Sequence, residues 1–190
     1  MGHYATYTSV GSYSPKNMAT YQYHLTFIPR QSILRHWDNV PIKIQVHDNP
    51  LFDEDDLINV KWWNKETVDF NVIEKRILNF ADQVEWTKLY KDQKTFGDNE
   101  TNDIDIGRNE RGQFDGMSCR IDLSNMDWSF VDQVINIAKD LDCLLLDRQG
   151  NLFEPTRESL IENSRKSNAF KFVTNPTDFL NGLGKTIEME

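Results

Sequence analysis

The side chains best placed for chemistry in this 190-residue chain lie in one stretch, residues 102–123. Asp103 and Asp105 alternate with Ile104 and Ile106. Arg120 and Asp122 alternate with Cys119, Ile121 and Leu123. A period of two sends successive side chains to opposite faces of a strand. Paired as an antiparallel hairpin, the two runs bring Asp103, Asp105, Arg120 and Asp122 within cross-strand reach on one polar face. Such a face is either an ion-paired surface in water or a surface that binds a partner. It suits a catalytic carboxylate pair less well, because acid and base need surroundings that drive their pKa values apart.

Other chemistries fail on spacing. An EF-hand loop needs Gly at its sixth place and Glu at its twelfth. Counted from Asp103 those places hold Arg108 and Phe114; counted from Asp98 they hold Asp103 and Asn109. His3, His24, His36 and His47 form no pair at i and i+4 and no HExxH motif, so no metal set is expected. His24, within an aromatic-rich strand, reads as structural, and His36 beside Trp37 and Asp38 reads as a local hydrogen-bonded pair. No Ser lies in GxSxG, and Cys119 has no sequence-linked base. Gly107 to Gly112 lacks the strand–loop–helix setting of a phosphate-binding loop. No cofactor is expected.

Two further groups are candidates for binding. Asp53, Glu54, Asp55 and Asp56 form an acidic run, either a solvated loop or helix start, or a contact for a basic partner. Trp62 and Trp63 are adjacent. On a strand they face opposite ways, so one stays outside the core unless the 40–64 segment covers it, and an exposed Trp is a frequent binding anchor.

The elements that must position these residues can be read from periodicity. Tyr21, Tyr23, Leu25 and Phe27 alternate with polar residues, a strand near 21–28. Residues 31–37 suit a short helix. Ile42, Ile44 and Val46 suggest another strand. Ile73, Ile77, Phe80, Ala81 and Val84 recur at spacings of three and four, a helix over 69–86. The polar stretch 91–101 reads as a loop. Strands follow near 102–106 and 117–123, and then a helix over 128–141 with Asp127 as N-cap. Cys143–Leu146 is a short apolar run, a strand buried on both faces. Thr156 caps another helix, Ala169, Phe170, Phe172 and Val173 form an apolar patch, and Asn175-Pro176 breaks the chain before Phe179, Leu180 and Leu183.

The order strand, helix, strand, strand, helix, strand fits an α+β fold. Its antiparallel sheet carries helices on one face, as in the ferredoxin-like split βαβ arrangement. Residues 40–64 are then an insertion, 1–18 an irregular arm and 150–190 a C-terminal helical appendage, all within a single domain.

Composition narrows the function classes. Thirty acidic residues against twenty-one basic give a formal net charge of −9. That field repels phosphate backbones and anionic lipid, so neither nucleic acid nor membrane is an expected partner. It suits a basic protein. Aromatic residues make up 12% of the chain, which argues for a packed core rather than disorder. Residues 1–14 do not read as a secretory signal, no run of eighteen apolar residues is present, and Cys119 and Cys143 sit in apolar runs. The two cysteines read as buried thiols of a reducing compartment, the cytoplasm, with a strand–strand disulfide as the alternative.

In its size, its acidic balance and its C-terminal half, the chain resembles the small acidic bacterial proteins that serve as immunity partners of polymorphic toxins. FVDQVINIAKDLDCLLLDRQGNLFEPT followed by SNAFKFVTNPTDFL carries the resemblance. It implies a non-catalytic protein-binding module and assigns no individual residue. The alternative is a small-ligand-binding protein or enzyme that uses an open sheet face.

Overall fold

A computed structural model describes residues 21–44 and 61–178. Their strands form one six-stranded sheet in the order β2-β3-β4-β1-β5-β6, every neighbouring pair antiparallel. The strands are β1 (Gln22–Pro29), β2 (Gln93–Gly97), β3 (Asp103–Arg108), β4 (Phe114–Asp122), β5 (Cys143–Asp147) and β6 (Leu152–Phe153). The helices are α1 (Arg30–His36), α2 (Phe70–Ile77), α3 (Trp128–Asp140), α4 (Arg157–Ser164) and α5 (Asn168–Thr174), with a 3₁₀ turn at Glu85–Leu89. The α+β class and the antiparallel sheet expected from the alternation are both present.

The central strand, β1, shows how sequence sets burial. Tyr23, Leu25 and Phe27 all point to one face and are buried. Register places Tyr23 opposite Ile121 and Leu25 opposite Cys119, and Cys119 opposite Ile104 in turn. Phe96 lies opposite Ile104, so one apolar rung crosses four strands. Phe130, Val131, Val134, Ile135, Ile137 and Ala138 of α3 are buried in the same core. Burying a side chain of this size stabilises the fold by roughly 1.5–3 kcal/mol. Asp127 starts α3 as expected, accepting from the backbone N–H groups of Ser129 at 2.8 Å and Phe130 at 3.2 Å. Thr156 likewise caps α4 through the Ser159 N–H at 3.1 Å. β5 is buried along its whole length, in keeping with its unbroken apolar run.

Both edges of the sheet are covered by passing chain. Val84 N–H donates to the Thr95 carbonyl at 2.9 Å and Gly97 N–H to the Asp82 carbonyl at 2.8 Å, closing the β2 edge. Leu152 N–H donates to the Ile42 carbonyl at 3.0 Å and Ile44 N–H to the Gly150 carbonyl at 2.8 Å, closing the β6 edge. Open edges invite pairing with other chains, and these two segments block it.

Those edge bonds explain three departures from the periodicity reading. The helix expected over 69–86 stops at Ile77, because the backbone of Asp82–Val84 is spent on β2 instead of on a helical ladder. The supposed loop 91–101 contains β2, whose Phe96 and Thr95 are buried behind polar neighbours. Of the strand expected over Ile42, Ile44 and Val46, the described residues 42–44 make only an isolated bridge, Lys43 to Asn151, with Ile44 buried and Ile42 88% exposed. The hairpin strands also run further than the alternation indicated, with a register shift at Gly107/Arg108 and a turn held by Asn109 N–H on the Gln113 carbonyl at 2.9 Å. β6, only two residues long, leaves no alternation in the sequence. Gly97 has a φ of 98°, and a Cβ there would lie 2.4 Å from the Asn102 carbonyl oxygen, so only glycine fits the β2–β3 turn.

Candidate functional site

Register assembles the polar face from two adjacent rungs. In the first, Asp103, Arg120 and His24 lie side by side across β3, β4 and β1. In the second, Thr95, Asp105, Ser118 and Thr26 lie side by side across β2, β3, β4 and β1. Each second residue of a strand returns to the same face, so the seven side chains share one surface. The sequence expectation that Asp103, Asp105 and Arg120 share a face with their aliphatic neighbours turned inward is met, with Ile104 and Ile121 fully buried.

The surface is not the solvated one expected. Asp103 has no exposed area, and Asp122 is buried too. Arg120 Nε donates to Asp103 Oδ1 at 2.9 Å, and its terminal nitrogen binds the other carboxylate oxygen, a two-pronged pair whose guanidinium reaches toward solvent. Burial raises the Asp103 carboxyl above its ordinary pKa, and Arg120 opposes that rise without overcoming it. Asp105 accepts from the Thr95 hydroxyl. Asp122 is spent locally: it accepts from Ser124 N–H at 2.7 Å, from the Ser124 hydroxyl at 2.5 Å and from Asn125 N–H at 3.3 Å, turning the chain toward α3.

His24, read as structural from sequence, is the most perturbed base on the face. Burial, then the positive charges of Arg148 and Arg120, lower its pKa to about 3. The imidazole is therefore neutral at physiological pH. General acid–base work is most efficient when a pKa lies near the working pH, and His24 lies far from that range. Across the sheet, the Tyr23 hydroxyl donates to Asp147 Oδ2 at 3.0 Å. Asp147 also accepts from Gln149 N–H and Asn151 N–H, each at 2.9 Å, and from Asn151 Nδ2 at 2.8 Å. Its oxygens hold the β5–β6 turn.

The other sequence candidates fall elsewhere. Trp62 and Trp63 lie in a turn rather than a strand, and both are buried. Trp63 meets Phe114 edge to face, ring centres 4.7 Å apart, and Trp62 packs against His36 at 5.7 Å and Trp37 at 6.3 Å. Neither can serve as an exposed anchor, because a turn lets consecutive side chains enter the same core. His36 contacts aromatic rings rather than forming the expected pair with Asp38. Asp53, Glu54, Asp55 and Asp56 lie outside the described residues, as do Val46, the 1–18 arm and Phe179, Leu180 and Leu183. Cys119 and Cys143 are both free and buried.

Sequence reasoning missed the most exposed aromatic group near the sheet edge. Trp86, Leu89 and Tyr90 are 50%, 86% and 57% exposed. Their rings and chain sit together: Trp86 and Tyr90 meet edge to face at 5.9 Å. Trp86 and Leu89 are three apart in a 3₁₀ turn, so they project from one side. A signal existed, since these residues fall opposite the stripe of Ile73, Ile77 and Val84 had the helix continued.

Among the described residues no helix is long and apolar enough to cross a membrane, and no group of three or more His, Cys, Asp or Glu side chains could hold a metal ion. In comparisons with known proteins, no family model, no curated protein and no solved structure matches this chain.

Proposed function

We propose that this chain is a non-catalytic protein-binding module whose acidic surface meets a basic protein partner, as bacterial immunity proteins meet the toxins they neutralise. The observation that carries the reading is how the ionisable groups are spent. On the polar sheet face Asp103 is bound to Arg120, Asp105 accepts from Thr95 and His24 is held neutral, while the chain as a whole carries a net charge of −9. Complementary potentials speed encounter and penalise wrong partners. A catalytic or small-ligand use of the same face has less support, because Asp103 and Asp105 are engaged by Arg120 and the Thr95 hydroxyl and His24 is held neutral.

The order of β3, β4, β1 and β5, with α2 between β1 and β3 in the chain and α3 between β4 and β5, supports a split βαβ, ferredoxin-like core to which β2 and β6 are added. In this reading α4 and α5 are the C-terminal appendage, and residence in the cytoplasm agrees with two unpaired cysteines.

The test is calorimetric titration of the purified chain with the purified product of the gene adjacent to its own. The expected result is a one-to-one complex whose affinity falls steeply as salt is raised. Absence of binding at low salt would refute the proposal.

A further inference from the structure

Deepening the reading of this chain as a protein-binding module, we infer that the partner seats on the ridge of Trp86, Leu89 and Tyr90, and that its contacting surface is apolar at the centre and basic around it. The ridge is braced from below. Thr87, at its middle, is buried; its hydroxyl donates to the Val84 carbonyl at 2.7 Å and accepts from Thr95 N–H at 3.3 Å. Thr87 N–H donates to the Val84 carbonyl and Tyr90 N–H to the Thr87 carbonyl, each at 3.0 Å. The turn is thus pegged to β2 through its polar residue while its three large apolar side chains face water. A fixed backbone lowers the entropy lost when a partner docks, and Trp and Tyr are the side chains most often found to dominate interfaces.

The charges around the ridge select the occupant. Asp82, Glu85 and Asp92 are exposed on the flanking chain, against Lys88 and Lys91. Lys88 is already held by Glu85 at 2.5 Å, so the remaining balance is two carboxylates to one ammonium. A second copy of this chain would bring acidic rim against acidic rim, and anionic lipid or nucleic acid would be repelled in the same way. Another exposed apolar stretch among the described residues, Leu34, Trp37, Val40 and Ile42, is set among Arg35, His36, Asp38 and Lys43, with a single carboxylate, and offers no acidic rim. A basic protein surface with an apolar centre is the occupant that the ridge fits.

The probe is a set of synthetic peptides with Leu and Phe at the centre and Lys and Arg at the flanks, alongside acidic-flanked controls of the same core. Binding is followed through the indole N–H resonance of Trp86, assigned by its loss in Trp86→Phe. The basic set should shift this resonance and the acidic set should not. Leu89→Ser with Tyr90→Ala, which keeps the Trp86 probe, should weaken binding at least about tenfold, with unchanged far-ultraviolet circular dichroism because both side chains are exposed. The inference is overturned if no basic peptide moves the Trp86 signal, or if the double variant binds as well as the parent. It is equally overturned if light scattering shows a dimer that the double variant loses. Binding that persists in the variant removes the ridge but leaves the module reading intact. Failure of the adjacent gene product to bind removes the module reading itself.

Discussion

Arg120 and Asp103 face each other across β4 and β3, and of the two only the arginine reaches solvent. The carboxylate is fully buried, so its stability rests on the guanidinium beside it. Replacing Arg120 with Ala should leave an uncompensated buried acid and cost about 3–5 kcal/mol. The Asp103 carboxyl is raised by burial despite the pairing, which means that desolvation outweighs the attraction. The double replacement Asp103→Leu with Arg120→Met should therefore recover most of the loss. Urea unfolding of the two singles and the double at neutral pH measures this; a double as unstable as Arg120→Ala would contradict it.

His24 sets an acid limit on stability. Its folded pKa is about 3, against an ordinary 6.5. Below pH 6.5 the unfolded chain takes up a proton at this ring and the folded chain does not. Stability must then fall as pH drops from 6.5 toward 3, by on the order of 1.4 kcal/mol per unit once well below the unfolded pKa. His24→Gln removes that slope. The difference between parent and variant urea midpoints, taken at pH 7 and at pH 5, isolates the effect from the carboxylates that titrate alongside. An identical difference at both values would show that the ring is charged in the folded state.

Tyr23 and Asp147 form a second buried polar contact, on the face that carries the apolar core. Burial first, and Asp147 second, raise the phenol pKa far above its ordinary value, so Tyr23 stays protonated wherever the fold survives. Tyr23→Phe removes one of four hydrogen bonds to Asp147 and should cost roughly 1–2 kcal/mol. Asp147→Ala strands the donors of Tyr23, Gln149 and Asn151 together, and should cost more, about 3 kcal/mol. Thermal unfolding of the two variants ranks them, and an equal loss would mean that the β5–β6 turn does not depend on the carboxylate.

What the chain discloses in its sequence depends on where each element finds its partners. β1, α3 and β5 are legible because alternation, an apolar stripe with an Asp127 cap, and an unbroken apolar run are local properties. The early end of α2 is not, because Asp82–Val84 bonds to β2, a strand whose own pattern is mostly polar. The same divide runs through the polar face. Asp103, Asp105 and Arg120 could be grouped from alternation alone. Adding His24 needs the β1–β4 register, which no local pattern states. Trp62 and Trp63 both enter the core because they lie in a turn, where the strand rule of opposite faces for neighbours does not hold. Asp122 shares the face by parity yet serves the backbone of Ser124 and Asn125, a role fixed by where the strand ends.

Cys119 and Cys143 provide a probe of the whole fold. Both thiols are buried within strands, and burial raises both pKa values, for Cys119 with Asp103 and Asp105 adding to the rise and for Cys143 with Asp142 and Glu66 doing so. Thiolate is the reactive form, and here it is both suppressed and sheltered. Neither cysteine should react with an aromatic disulfide reagent at pH 8 in the folded chain, while both should react at once in urea. Because Cys119 lies in β4 beside the central strand and Cys143 opens β5 on its other side, labelling requires opening of the sheet itself. The native labelling rate of Cys119 should then rise in Arg120→Ala by the same factor as the unfolding equilibrium. Rapid labelling in the folded parent, or a rate indifferent to that substitution, would place the thiols in a region that opens independently of the core.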